Sequence, residues 1–229
     1  MAGALAGGTR RRLSLMSDYA IGDPQPVAAS APYTYFLPTT TRLNAIAVGD
    51  LVQLIIRGIP PGTKYDAERM WVRVTAIDGN AMVGDLDNEP FDIPHLKPGH
   101  EIRFRRSDII AIVLQGAERN RIGLDERRDF WERCLVDRCV LDDGVRVGYL
   151  YRTTPDLDEP DDEYPDSGWR IRGEQGDDSD ETMEAREVAY VAVGVVLNRD
   201  DSWLLLIDAP IGAAFRRNKV SGEFEPVAA

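Results

Sequence analysis

Apolar and polar residues alternate from Met70 to Ile77, with Met70, Val72, Val74 and Ala76 on one side and Trp71, Arg73, Thr75 and Ile77 on the other. A repeat of two residues is the pattern of a half-buried β-strand. Asp78-Gly79 follows, and Asn80 to Leu86 resumes an extended pattern. An Asp-Gly pair between two such runs predicts a hairpin with a type I′ turn, which needs positive φ at both central residues. Upstream, Gly49-Asp50 leads into the apolar run Leu51 to Ile56, and Pro60-Pro61-Gly62 breaks the chain after it. Two further strands fit Glu101–Arg106 and Ile109–Val113. Short strands at this density over residues 32–115 predict a small curled sheet or an SH3-like barrel.

The period changes near Gly116. Leu124, Trp131, Leu135 and Cys139 recur at roughly helical spacing, with Phe130 and Cys134 beside them, so residues 116–144 read as a linker carrying an amphipathic helix, ended by Asp142-Asp143-Gly144. Residues 145–229 read as a second domain. Val145 to Arg152 is its first strand, Ser167-Gly168 turns the chain into the strand Trp169 to Arg172, and Glu187 to Leu197 is a buried strand whose onset also fits a helix. Asp200 or Asp201 caps a short helix through Trp203, Leu204 and Ile207, and the tail forms a hairpin around Ser221-Gly222. Residues 1–31 hold Gly, Ala, Ser and Pro without apolar periodicity and read as a disordered leader, within which Met16 offers an alternative start. The expected fold class is therefore α+β: an N-terminal barrel-like domain and a C-terminal mixed sheet with a short helix, joined by a helix.

Charge sharpens this division. The 229-residue chain carries a formal net charge of −12, and residues 145–229 alone contribute −10 of it. Asp156 to Asp166 holds seven acids, and Asp177 to Glu181 forms a second acidic loop. Such a field repels nucleic acid and anionic membranes and favours a basic protein partner. In residues 32–115, nine basic groups are matched by ten acidic ones, which also speaks against nucleic-acid binding. No apolar run approaches the ~18 residues that span a bilayer, and Leu13 to Met16 is too short for a signal-peptide core, so the expected compartment is cytoplasmic. Cys134 and Cys139, placed on one helix, lie ~140° apart around the axis and read as free thiols.

The chemistry-bearing motifs give little. No Walker loop, G-x-G-x-x-G, G-x-S-x-G or H-E-x-x-H occurs. His95 and His100 have no evident partner and read as surface or capping residues. The Asp156–Asp166 loop lacks the central glycine and closing glutamate of an EF-hand and carries two prolines. The expectation is no catalytic site, no cofactor and no metal. Trp71 and Trp169 read as core residues ahead of interface anchors.

Two blocks are less anonymous. Glu68-Arg69-Met70-Trp71-Val72, with Gly84, Leu86, Asn88, Pro90, Gly99 and Phe104, resembles a bacterial domain family of unknown function. Gly148-Tyr149-Leu150-Tyr151-Arg152, Asp166-Ser167-Gly168-Trp169-Arg170, Gly173-Glu174 and Pro210-x-Gly212-x-x-Phe215 resemble a related family that includes immunity proteins of polymorphic toxin systems. One departure is Gln175, where a second acid commonly follows the Gly-Glu pair. The resemblance implies a protein that binds and neutralises, and the acidic balance of residues 145–229 adds the expectation of a basic toxin domain as its partner. Asp158, Asp161, Asp162, Glu163, Asp166, Trp169, Arg170 and Glu174 are the expected partner-binding residues. An enzyme or small-ligand regulator of unknown chemistry is the alternative.

Overall fold

The computed structural model describes residues 18–124, 126–157 and 162–227. In chain order, the first half forms β1 (Tyr19–Ile21), α1 (Gln25–Ser30), α2 (Thr40–Asn44), β2 (Leu51–Gly58), β3 (Glu68–Asp78), β4 (Ala81–Leu86), β5 (Glu101–Arg105) and β6 (Ala111–Val113). The second half forms β7 (Arg133–Asp137), α3 (Arg138–Asp142), β8 (Val147–Arg152), β9 (Asp166–Gly173), α4 (Asp180–Glu184), β10 (Val188–Ala192), α5 (Val193–Leu197), β11 (Ala214–Arg217) and β12 (Phe224–Pro226). The chain divides into two compact units, one built from the residues up to Pro24 with Pro38–Ile122, the other from Gln25–Leu37 with the residues from Gly123 onward.

Unit 1 is a six-stranded antiparallel sheet in the order β1-β2-β3-β4-β5, with β6 also paired to β2. β1 lies beside the Ile56–Gly58 end of β2 and β6 beside its Leu51–Gln53 end, so together they flank one edge of β2 and bring the sheet nearly to closure as a barrel. The alternation read from the sequence buries Met70, Val72 and Val74, which join Val52, Leu54, Ile56, Met82, Ile102 and Phe104 in the core. Trp71 is only half-buried, on the opposite side of β3; the core reading for it is corrected, because a period of two cannot put neighbours inside together. The β3–β4 turn also differs. Asp78 pairs with Ala81, the central residues are Gly79-Asn80, and only Gly79 has positive φ, at 57°, which fits type II′ instead of I′.

Two polar anchors close unit 1. The Asp50 carboxylate is wholly buried and accepts from the N–H groups of Ala47 and Gln115 and from both Arg119 Nη atoms, all at 2.8–2.9 Å. Burial alone raises its pKa, but these donors hold it below the ordinary value. Arg42 donates to the carbonyls of Ile112, Asn120 and Ile122. The expected helix over residues 118–139 is therefore absent: Arg119–Arg121 is a 3₁₀ turn tied into unit 1, and Arg133–Asp137 is a strand of unit 2.

Unit 2 is a six-stranded mixed sheet in the order β10-β7-β9-β8-β11-β12, parallel between β7 and β9 and antiparallel elsewhere. One face carries Cys134, Val136, Leu150, Trp169 and Ile171, packed with Val140 of α3, Val193, Val196 and Leu197 of α5, and Trp203. Trp169 and Trp203 are fully buried and meet edge to face at 5.6 Å. The stretch from Glu187 splits into β10 and then α5, and the segment after Asp200 is a 3₁₀ turn, Leu204–Leu206. The tail hairpin forms as expected, with β11 paired to β12.

The disordered-leader reading of residues 1–31 is corrected for the described part. β1 pairs with β2, and the N–H of Arg103 donates to Tyr19 Oη at 2.8 Å. Gln25–Leu37 belongs to unit 2: the Tyr33 N–H donates to Asn198 Oδ1, its hydroxyl donates to Asp201 Oδ2, and its ring meets Phe130. Small polar residues hid this because a short segment completing another element's surface needs no apolar period of its own.

Candidate protein-binding face

The Asp166–Arg170 block builds a bulge at the centre of the unit 2 sheet. Arg133 of β7 stands opposite Asp166 and Leu135 opposite Arg170, so two steps along β7 match four along β9. Gly168 takes φ 79° there, and a Cβ on it would collide with the Thr153 carbonyl oxygen. Ser167 Oγ donates to the Arg133 carbonyl at 2.6 Å and accepts from the Trp169 N–H at 3.2 Å. Asp166 accepts from the N–H groups of Gly168, Asp156 and Leu157, and from Arg170 at 2.8 and 3.0 Å. Burial works against its charge, but Arg170 and the three amides outweigh that and keep the carboxyl below its ordinary range. Arg170 also reaches Asp156 at 2.5 Å.

The other motif residues hold neighbouring joints. Gly148 lets the backbone of Glu174 approach, since a Cβ would lie 2.6 Å from Glu174 Cα. Arg152 donates to the carbonyls of Ser167 and Ala209, Gly212 has φ 90° and donates to Arg152 O, and Phe215 packs on the core. Asp137, wholly buried, accepts from Arg172 Nε, Gly173 N–H and Arg186 Nη1. Gln175 donates to Asp178 O and Asp180 Oδ1, a job no carboxylate can do. Cys134 and Cys139 are free thiols, one on β7 and one on α3, and burial pushes the Cys134 thiol up to about 12, far from a nucleophile.

Opposite the core, the sheet presents a second face. Cross-strand partners share a face, and the rows run Tyr190, Leu135, Arg170, Tyr151, Ala214 and then Arg172, Tyr149, Arg216, Glu225. Tyr149 is half-buried and Tyr151 is 36% exposed; their rings sit 5.6 Å apart, and the Arg216 guanidinium lies 5.7 Å from the Tyr149 ring centre. The Tyr190 hydroxyl donates to Leu157 O. The segment before β9 meets this face through Asp156 at Arg170, and the segment after β9 meets it through the Met183 carbonyl at Arg172.

Residues 134–228 match the family model of the Immunity protein Imm33 domain. The matched segment runs from within β7 through β12 and bears out the resemblance to immunity proteins for that part of the chain. No curated protein and no solved structure matches the chain.

Within the matched segment, the expected partner-binding residues separate into three groups. Asp158 and Asp161 lie outside the described residues. Glu163 is exposed, and the Glu174 side chain is 39% exposed beside Arg217. Trp169, Asp166 and Arg170 are buried structural residues, and Asp162, 15% exposed, is engaged by Arg133. The Arg133 guanidinium holds the Asp162 carboxyl below the ordinary value. Sequence reasoning missed Tyr149, Tyr151 and Arg216, although placing Leu150 inward already turns Tyr149 and Tyr151 outward. Among the described residues, no group of three or more metal-ligating side chains is placed to hold an ion, and no helix is long and apolar enough to cross a membrane.

Proposed function

We propose that this protein is an immunity-like binding protein that captures a basic toxin domain through unit 2 and blocks it by occupancy, without turnover of its own. The match of residues 134–228 to an immunity protein domain carries the reading. The charge distribution supports it: Glu163, Asp177, Asp180, Glu181, Glu184 and Glu187 are exposed. Carboxylates spread over two loops give a basic partner a long-range attraction, which raises encounter rates more than it adds final affinity. The buried ion pairs take no part in this attraction, because their charges are already matched inside the fold.

The test is to read the genes flanking this one and to co-express this chain with a basic toxin domain that they encode. The expected result is that this chain restores growth to cells expressing that toxin and co-purifies with it. A toxin that kills equally with and without this chain would contradict the proposal.

A further inference from the structure

The acids explain attraction but not fit, since a purely electrostatic rim leaves the centre of a contact unspecified. Stable interfaces have an aromatic or apolar centre surrounded by a polar rim. In unit 2 these two parts have a simple spatial relation. β9 runs through the sheet with Arg170 beside Tyr151 and Arg172 beside Tyr149. The acidic segment before it touches Arg170 through Asp156, and the one after it touches Arg172 through the Met183 carbonyl. Acidic segments thus border the two tyrosines at both arginines.

The surface between the rims has the chemistry for a basic partner. Arg170 and Arg172 lie on it but are matched by Asp166, Asp156 and Asp137, so they do not repel cations. Tyr149 and Tyr151 stand beside them with their rings partly open. A tyrosine ring stacks under lysine or arginine, and Arg216 already does so on Tyr149 from within the chain. Tyrosine also supplies contact area at low conformational-entropy cost, with only two side-chain torsions to fix. We infer that the side of the unit 2 sheet carrying Tyr149 and Tyr151 seats the basic protein, with the exposed carboxylates of the flanking segments, Glu163, Asp177, Asp180 and Glu181, as its rim. This rests on the immunity reading and gives it a location.

The probe is the purified toxin domain used in the co-expression test. Replacing both Tyr149→Ser and Tyr151→Ser is expected to weaken binding roughly 30-fold or more, through faster dissociation, as for central anchors. Phe91→Ala, an exposed aromatic of unit 1, is the control and leaves binding unchanged. A photoreactive phenylalanine at Tyr151 in the otherwise unaltered chain is expected to crosslink the toxin domain, which keeps the test valid if the double variant folds poorly. An unchanged off-rate in a folded double variant, or no adduct from position 151, would overturn the location while leaving the immunity reading standing. No binding by the unaltered chain would remove both.

Discussion

Asp166 and Arg170 stand four positions apart on β9, which on a strand puts them on one face and within reach across the bulge. With side chains 1% and 8% exposed, each is the other's buried counter-charge. Asp166→Ala leaves the buried guanidinium only Asp156 and the Trp169 carbonyl, and removes the acceptor of three backbone N–H groups; it is expected to cost about 3 kcal/mol, measured by urea unfolding. The pH dependence has a definite sign. A carboxyl whose folded pKa lies below its unfolded value of about 3.9 contributes stability above that pH and loses it as pH falls through the folded pKa. Asp166→Asn should therefore flatten the stability curve below about pH 4 relative to the unaltered chain; equal slopes would show that the pair does not titrate with unfolding. The sequence displays this block clearly as a motif, but its role is not legible there. Asp, Trp and Arg suit an interface as well as a bulge, and only burial distinguishes them.

The elements were readable wherever the period was unambiguous. β3 and β4 follow from alternation as far as Val74, where a bulge turns Ala76 out to solvent and Ile77 onto the core, and the Asp78-Gly79 pair marked their connection within one residue. Residues 118–139 went wrong for a geometrical reason. Trp131, Leu135 and Cys139 are spaced by four, and four is both close to one helical turn and twice the strand repeat. What decided β7 was pairing with β9 and β10, partners 30 to 60 residues away in the chain. The same holds for residues 18–37, whose order comes from β2 and from Asn198 and Asp201. Deleting residues 18–37 should therefore lower the thermal midpoint by several degrees, at ~2–4 °C per kcal/mol for a chain of this size. A midpoint unchanged within the noise of a calorimetric scan would show that this segment contributes nothing to the fold.

At the scale of the molecule, the charge ledger is legible in the sequence, and the sheet face proposed to seat a partner is not. The −10 balance of residues 145–229 is a property of composition, whereas the tyrosine face exists only once β8 is paired between β9 and β11. The structure also separates acids that hold the fold from acids open to a partner: Asp162 grips Arg133, while Glu163, Asp177, Glu181 and Glu184 are exposed. The most direct measurement is stopped-flow association with the toxin domain across a salt series, comparing the unaltered chain with a variant carrying Glu163→Gln, Asp177→Asn, Glu181→Gln and Glu184→Gln. The unaltered chain should associate more slowly as salt rises, since screening shortens to ~8 Å at physiological ionic strength. The variant should start about tenfold slower at low salt, with a flatter dependence and a nearly unchanged off-rate. An association rate independent of salt, or identical in the two proteins, would contradict capture of a basic partner by the acidic loops of unit 2.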